Sequence, residues 1–125
     1  MSIVSHIDHL VLTVRDVERS VAFYVRVLGV EAVSFAGGRR ALRFGNQKIN
    51  LQTLGQETRN HAVIGSGDLC LIVRITPDEV IALLAREGVD VVEGPVAKSG
   101  AVGAMTSVYF NDPDGNLVEL ASYDG

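Results

Sequence analysis

The sequence is short of cysteine, of positive charge and of long apolar runs. Its 125 residues contain a single cysteine, Cys70, so no internal disulfide can form, which is typical of a reducing cytoplasm. The formal net charge is −4 and the basic residues are scattered, which argues against nucleic acid and anionic membrane surfaces as partners. No segment approaches the about 18 apolar residues of a membrane span, and the first residues lack a signal-peptide pattern. We therefore expect a cytoplasmic protein that binds neither nucleic acid nor membrane.

The sequence has enough apolar residues for the core of one compact domain. It also contains an internal repeat. Hydrophobic residues make up 47% of the chain. Val14 and Val73 lie 59 residues apart, and the same spacing separates Gly29 from Gly88. Each half reads strand–helix–strand–strand–strand, with about 5–54 as module one, 55–67 as a linker and 68–123 as module two. A repeat this small must pack against its twin or against another chain to bury its apolar face.

Local signals predict two helices. Asp16 is a good N-cap for a helix over residues 17–28, whose apolar stripe consists of Val17, Val21, Tyr24, Val25 and Leu28. Thr76-Pro77-Asp78-Glu79 combines a capping box with proline at the first helical position, and Gly88 ends that second helix. The glycine-rich segment 94–103 is predicted to be a loop.

A third local signal is the turn at Asp112-Pro113-Asp114-Gly115, followed at once by an apolar strand over 116–122. Glu119 lies within that strand, on the face of Leu117 and Ala121. A carboxylate among apolar neighbours is costly unless it is paired or bound to a metal. The pattern leaves two interpretations open, a sheet-edge acid or a ligand or base inside a pocket.

The chain resembles the vicinal oxygen chelate superfamily, which includes glyoxalase I, fosfomycin-resistance proteins, extradiol dioxygenases and bleomycin-binding proteins. The resemblance covers about residues 5–123 and is carried by three segments, Ile7-Asp8-His9-Leu10, Phe23 to Gly29, and Asp112 to Glu119. It implies an α+β fold in which two paired βαβββ modules form a curled mixed sheet cup around a divalent metal.

Carried over residue by residue, the resemblance implies a metal site of His9, Gln52, Asp68 and Glu119. Relatives that cleave aromatic rings use two histidines and one glutamate, and only His9 matches here, so that chemistry is disfavoured. The oxygen-rich set suits Mn²⁺, Ni²⁺, Co²⁺, Zn²⁺ or Mg²⁺. The implied function is a glyoxalase-like lyase, isomerase or transferase on a small substrate with vicinal oxygens. Its metal is a Lewis acid, and Glu119 is the catalytic proton shuttle.

The same resemblance leaves a second function open, a metal-free hydrophobic cup that sequesters a drug or metabolite, as in the bleomycin-binding branch. Relatives of this size are usually homodimers, and we expect one here.

Weaker candidates for the substrate pocket are Asn50, which shares the face of Gln52, together with Arg43 and His61. Asn50 could orient Gln52 or the substrate, and Arg43 could bind an anionic substrate, although solvated side chains are the commoner alternative for Arg43 and His61. Cys70 is interpreted as a small buried apolar side chain rather than a nucleophile.

Overall fold

The computed structural model describes residues 1–124, and the chain divides into two compact units, residues 1–64 and 65–125. Each unit has one helix and one four-stranded mixed sheet, so the predicted α+β class with two βαβββ modules is confirmed. No helix among the described residues has the length and apolar character needed to cross a bilayer.

Unit 1 contains four strands and one helix, β1 (His9–Thr13), α1 (Val17–Leu28), β2 (Glu31–Phe35), β3 (Arg39–Phe44) and β4 (Gln47–Gln52). The strand order is β1-β4-β3-β2, with β1 parallel to β4 and the other pairs antiparallel. Helix α1 packs against β2, β3 and β4. The buried apolar side chains of one sheet face meet it, among them Leu12, Leu42, Ile49 and Leu51.

Unit 2 repeats this arrangement with β5 (Asp68–Ile72), α2 (Pro77–Arg86), β6 (Val91–Gly100), β7 (Gly103–Asn111) and β8 (Leu117–Tyr123). Its order is β5-β8-β7-β6, again with one parallel pair, β5 with β8. Helix α2 packs against β6, β7 and β8, and the helix-facing side chains Val108, Phe110, Val118 and Leu120 are buried.

Both helices begin where the sequence predicts, because their start signals are local. The Asp16 carboxylate accepts a hydrogen bond from Arg19 N, and Gly29 ends α1 in the left-handed conformation. At α2, Thr76 and Glu79 form both hydrogen bonds of the capping box. The predicted stripe of α1 is wrong at one position, since Val25 is 38% exposed and Val27 is buried instead.

The prediction of a loop over 94–103 is also wrong. Strand β6 runs through most of that segment to Gly100, and only Ala101 and Val102 turn back into β7. The strand tolerates Pro95 because β6 is an edge strand, where a missing N–H costs no ladder bond in the sheet interior. Gly94 is required there, since a Cβ would lie 2.5 Å from the Ser107 carbonyl oxygen.

The Asp112–Gly115 turn is present, and it is structural. Asp112 Oδ1 accepts hydrogen bonds from the backbone N–H groups of Asp114 and Asn116. Asn116 in turn accepts a hydrogen bond from Gly67 N through its side-chain oxygen, at 2.7 Å. The motif therefore fixes the start of β8 against the segment entering β5, and so sets where Glu119 lies.

Candidate functional site

The sheet face that points away from the helix, here called the helix-distal face, carries Asn50 in unit 1 and Glu119 in unit 2. In unit 1 its central row runs from β1 to β2 through Val11, Asn50, Ala41 and Val33. In unit 2 the central row runs from β5 to β6 through Cys70, Glu119, Tyr109 and Glu93. Side chains in register across neighbouring strands lie on the same face and can contact one another.

Strand register makes Asn50 the equivalent of Glu119. Asn50 lies opposite Val11 in the parallel pair of unit 1, as Glu119 lies opposite Cys70 in unit 2. Val11 and Cys70 are related by the 59-residue repeat. Two backbone hydrogen bonds support the same correspondence. Val14 N donates to Gln52 O in unit 1, and the repeat-related Val73 N donates to Ala121 O in unit 2. Gln52 thus corresponds to Ala121, two positions beyond the acid.

These two equivalent residues share an uncommon property. Asn50 is 5% exposed and Glu119 is partly buried, yet Asn50 Oδ1 and Glu119 Oε2 have no hydrogen-bond partner among the described residues. Buried polar atoms are nearly always paired, and leaving one unpaired costs about 1–3 kcal/mol. Each unit therefore offers one oxygen ready to accept a ligand from the same register position.

Tyr109 lies directly across from Glu119 on β7, and its hydroxyl donates a hydrogen bond to the Glu119 carboxylate. Burial, this hydrogen bond and the negative charge of Glu119 together raise the pKa of Tyr109 to about 12. The bond fixes the orientation of the carboxylate. Sequence reasoning missed Tyr109, although strand alternation on both sides of the 112–115 turn places it on the face of Glu119.

Cys70 is exposed, so the prediction of a buried thiol is wrong. Strand β5 is an edge strand, and its helix-distal side chains lack a neighbouring strand on one side. Partial burial and the nearby Glu119 charge raise the pKa of the Cys70 thiol to about 11, which keeps it protonated at neutral pH. The second part of the prediction, that Cys70 is not a nucleophile, agrees with this.

His9 is exposed at the start of β1, and its Nδ1 lies 2.8 Å from Asp8 Oδ1. The hydrogen bond to His9, with the charges of His9, Lys48 and His6, lowers the pKa of Asp8, partly opposed by desolvation. A carboxylate that accepts from Nδ1–H leaves Nε2 as the ring nitrogen that can bind a ligand.

Gln52 is 2% exposed, and its amide is already engaged. Its Nε2 donates to Thr13 Oγ1 at 2.9 Å and to Asn60 Oδ1 at 3.2 Å, and its Oε1 accepts from Asn60 Nδ2 at 3.5 Å. These bonds tie the end of β4 to the segment that follows it. A role as metal ligand stays a prediction for Gln52, but it would compete with Asn60.

The remaining predicted residues are solvent-exposed. Asp68 opens β5 and lies in register with Leu117, two positions before Cys70. Arg43 forms a two-pronged ion pair with Glu31, at 2.9 Å in its shortest contact, and both side chains are more than half exposed. His61 is exposed in the segment between β4 and β5.

His9 and Gln52 belong to unit 1, whereas Asp68 and Glu119 belong to unit 2. Within neither unit do the described residues bring three His, Cys, Asp or Glu side chains together as a metal cluster. The four-residue metal site therefore stays a prediction. The donor atoms left available, an imidazole nitrogen and amide and carboxylate oxygens, are of the kind that Mn²⁺, Co²⁺, Ni²⁺ and Zn²⁺ accept.

The chain is similar in sequence to proteins of one known family. A family model described as the Glyoxalase/Bleomycin resistance protein/Dioxygenase superfamily matches residues 6–120. The chain is 45% identical over 124 residues to Virulence protein STM3117 of Salmonella typhimurium, covering 97% of this chain and 86% of that protein. It is 46% identical over 123 residues to Glyoxalase domain-containing protein RDO1 of Mycosarcoma maydis, covering 96% and 69%.

Solved structures of other proteins have a similar fold. The integron cassette protein VCH_CASS1 from the mobile metagenome of V. cholerae aligns with a TM-score of 0.93 and 48% identity, over 99% of both chains. Lactoylglutathione lyase from Agrobacterium tumefaciens aligns with a TM-score of 0.77 and 26% identity, over 95% of this chain and 94% of the other.

Proposed function

Because this chain belongs to the Glyoxalase/Bleomycin resistance protein/Dioxygenase superfamily, we propose that it is a divalent-metal-dependent, glyoxalase-like enzyme, most simply a lyase. Its substrate is a small molecule with two adjacent oxygens. The observation that supports this proposal is the pair of unsatisfied buried oxygens, Asn50 Oδ1 and Glu119 Oε2, at equivalent positions of the two units.

In the proposed site, His9, Asp68 and Glu119 would hold the metal, and Asn50, the register equivalent of Glu119, would be a further ligand beside the predicted Gln52. A bound divalent cation supplies Lewis acidity toward two adjacent substrate oxygens. Glu119 would take the proton from the neighbouring substrate carbon and return it to the adjacent carbon, while Tyr109 holds the carboxylate in place. A homodimer and a cytoplasmic location remain predictions that accompany this function.

The first test is metal content and affinity. Purified protein, stripped of metal and then incubated with Mn²⁺, Co²⁺, Ni²⁺ or Zn²⁺, should bind one ion per site by elemental analysis and calorimetry. Glu119→Gln should weaken binding at least about tenfold, the lower end of what loss of a supporting residue costs a metal site. Glu93→Gln is the matched control, since it removes an exposed carboxylate from the same row. A protein that binds none of the four ions contradicts the proposal.

The second test is turnover. The metal-loaded protein should convert the hemithioacetal of methylglyoxal with a thiol, and Glu119→Gln should abolish that conversion. Glutathione and a simpler thiol are compared as the thiol component of the adduct. Metal binding without conversion of either adduct would leave the metal site standing and reject the lyase reaction.

A second candidate function is metal-free binding of an apolar small molecule. It is favoured by the neutral amide of Asn50 where unit 2 has a carboxylate, and by Val11 and Ile72, which are 36% and 55% exposed on the helix-distal faces. Micromolar calorimetric binding of an aromatic or glycopeptide drug to the metal-free protein would support this function. Equal binding by a Val11→Asn, Ile72→Asn double variant would contradict it.

A further inference from the structure

A cluster of charged side chains surrounds one aromatic ring on the helix-distal face of unit 1. Lys48 Nζ lies 3.5 Å from the centroid of the Phe35 ring, and Arg39 Cζ lies 5.3 Å from the same centroid. Both distances are within the range of cation–π contacts. Both cations therefore contact the same aromatic ring.

The cluster has more positive than negative charge. Glu57 contacts Arg39 through one carboxylate oxygen at 2.8 Å and Arg59 through the other at 3.0 Å. The Glu57 carboxylate thus pairs with two arginines. Lys48 contacts the Phe35 ring, and among residues 1–124 no carboxylate lies within ion-pair distance of its ammonium group. Like charges within a Debye length repel each other, about 8 Å at physiological salt. The Lys48 charge also acts on the Asp8 carboxylate, so the cluster has three cations to two carboxylates, and this excess favours a bound anion.

Arg39 also has hydrogen-bonding capacity that the protein does not use. Its Nε–H is buried and has no acceptor among the described residues, although the side chain as a whole is 27% exposed. Arg43, on the same strand and the same face, differs in this respect, since Glu31 takes both its Nε–H and its Nη2 donors. Arg43 is satisfied and solvated, and Arg39 is not.

The cluster lies beside the residue that carries the proposed function. Asn50 is in register with Ala41, and Arg39 lies two positions before Ala41 on the same strand and the same face. Such diagonal neighbours are about 7 Å apart across a sheet. Ala41, which lies between them in the register, is completely buried. A molecule bound near Asn50 is therefore within several bonds of Arg39.

We propose that Arg39 and Lys48 form a subsite for an anionic group, a carboxylate or a phosphate, of the molecule that binds here. An oxyanion near both cations balances the charge excess and contacts the exposed part of the Arg39 guanidinium. The Phe35 ring provides the apolar floor beside it. The subsite extends the proposed function by naming a substrate class, anions whose charge is several bonds from the vicinal oxygens, and it depends on that function only in the choice of binding face.

The experiment is a ¹H–¹⁵N NMR titration of the metal-free protein, in which the Arg39 Nε–H gives its own resonance. The probes are benzoate, phenyl phosphate and the neutral isostere benzamide, each up to about 50 mM, which covers the millimolar affinities of single-group ligands. Benzoate or phenyl phosphate should shift the Arg39 Nε–H resonance, and benzamide should not. Which of the two anions binds more tightly identifies the preferred group.

Three variants complete the test. Arg39→Gln and Lys48→Gln should each weaken anion binding at least about fivefold, since each removes a charge-assisted contact. Arg43→Gln, which removes a satisfied arginine from the same strand, should leave the affinity unchanged. Amide dispersion in each spectrum reports whether the variant is folded, and the wild-type Arg39 resonance keeps the test valid if Arg39→Gln does not fold.

The proposal is overturned if benzamide shifts the Arg39 resonance as strongly as benzoate, if no probe shifts it, or if Arg43→Gln weakens binding as much as Lys48→Gln. The result is separable from that of the metal tests. Anion binding without metal binding would reject the enzyme and keep the subsite, and metal binding without anion binding would reject the subsite alone.

Discussion

The two units share a scaffold and differ in chemistry. Their strand orders, parallel pairs and helix positions correspond, and buried apolar side chains cover the helix-facing side of both sheets. On the helix-distal side, the central row of unit 1 has one amide, Asn50, whereas that of unit 2 has two carboxylates, Glu93 and Glu119, with Tyr109 and Cys70. Cations lie beside the row in unit 1.

This difference shows which positions the fold constrains. Helix-facing side chains must be apolar and of suitable volume, because a close-packed interior responds to the loss of a single methylene. Some helix-distal positions, such as Ala41 and Asn50, are buried as well, but their surroundings accept polar atoms, so two copies of one scaffold can hold an amide in one place and an acid in the other. The comparison predicts the results of five substitutions or pairs of substitutions.

The largest expected effect is on the helix-facing side. Leu42→Ala in unit 1 should lower the free energy of unfolding by about 2–5 kcal/mol, and Phe110→Ala in unit 2 by about 3–5 kcal/mol, because both side chains are completely buried. The controls Val11→Ala and Ile72→Ala, on the helix-distal side, should cost less than about 1 kcal/mol. Urea denaturation measures all four. Equal losses of unfolding free energy on the two sides would contradict the claim that the helix-facing side chains supply most of the stability.

The next prediction concerns a substitution that makes unit 1 chemically more like unit 2. Asn50→Asp places a carboxylate at the position equivalent to Glu119, so affinity for a divalent ion should rise about tenfold as the ligand charge increases. Asn46→Asp introduces the same charge at an exposed turn of the same unit and should leave the affinity unchanged. Calorimetry with Mn²⁺ measures both. A gain with Gln52→Glu and none with Asn50→Asp would restore Gln52 as the ligand position.

A smaller effect is expected from the tyrosine that unit 1 lacks. Tyr109→Phe removes the hydrogen bond to Glu119 and should weaken metal binding about fivefold, since only part of the about 1.5–3 kcal/mol of a hydrogen bond to a charged group carries over to metal affinity. Tyr123→Phe is the matched control, because its hydroxyl accepts from Val102 N at 3.3 Å, away from Glu119. Unchanged affinity in Tyr109→Phe would show that Glu119 does not need this partner.

The two helix caps should contribute about equally. Asp16→Ala and Thr76→Ala each remove a side-chain acceptor for a backbone N–H, at a cost of about 1 kcal/mol by thermal or urea unfolding. The variants Asp16→Asn and Thr76→Ser keep the acceptor and should retain most of the stability. A loss of stability from only one of the two substitutions would show that the units also differ in how much their helix caps contribute to stability.

The smallest effect concerns pH. The backbone N–H and the side chain of Thr76 lower the pKa of Glu79, so the capping box stabilises the fold above the ordinary glutamate pKa. This contribution is lost as the pH falls through the lowered pKa of the folded state. A Glu79→Gln variant should therefore lose less stability than wild type between neutral and acidic pH. Helix α1 has Arg19 at the corresponding position and so lacks this second bond of the capping box.

Several parts of the fold could be predicted because their signals are local. The capping box of α2, the Asp16 and Gly29 ends of α1 and the Asp112–Gly115 turn each depend on residues within one turn of chain. The path of β6 could not, because glycine and proline forbid a central strand and permit an edge strand, and sequence does not show which strand is at the edge.

By itself, the sequence determined the duplicated βαβββ order, the helix boundaries and the face on which Glu119 lies, since 3.6-residue and two-residue periodicities are properties of the local chain. Only the tertiary structure decided that Asn50 rather than Gln52 corresponds to Glu119, that Tyr109 holds the acid, that Cys70 is exposed and that Arg39 differs from Arg43. The reason is that pairing register and solvent exposure arise between strands far apart in sequence, where a shift of two residues preserves the face and changes every neighbour.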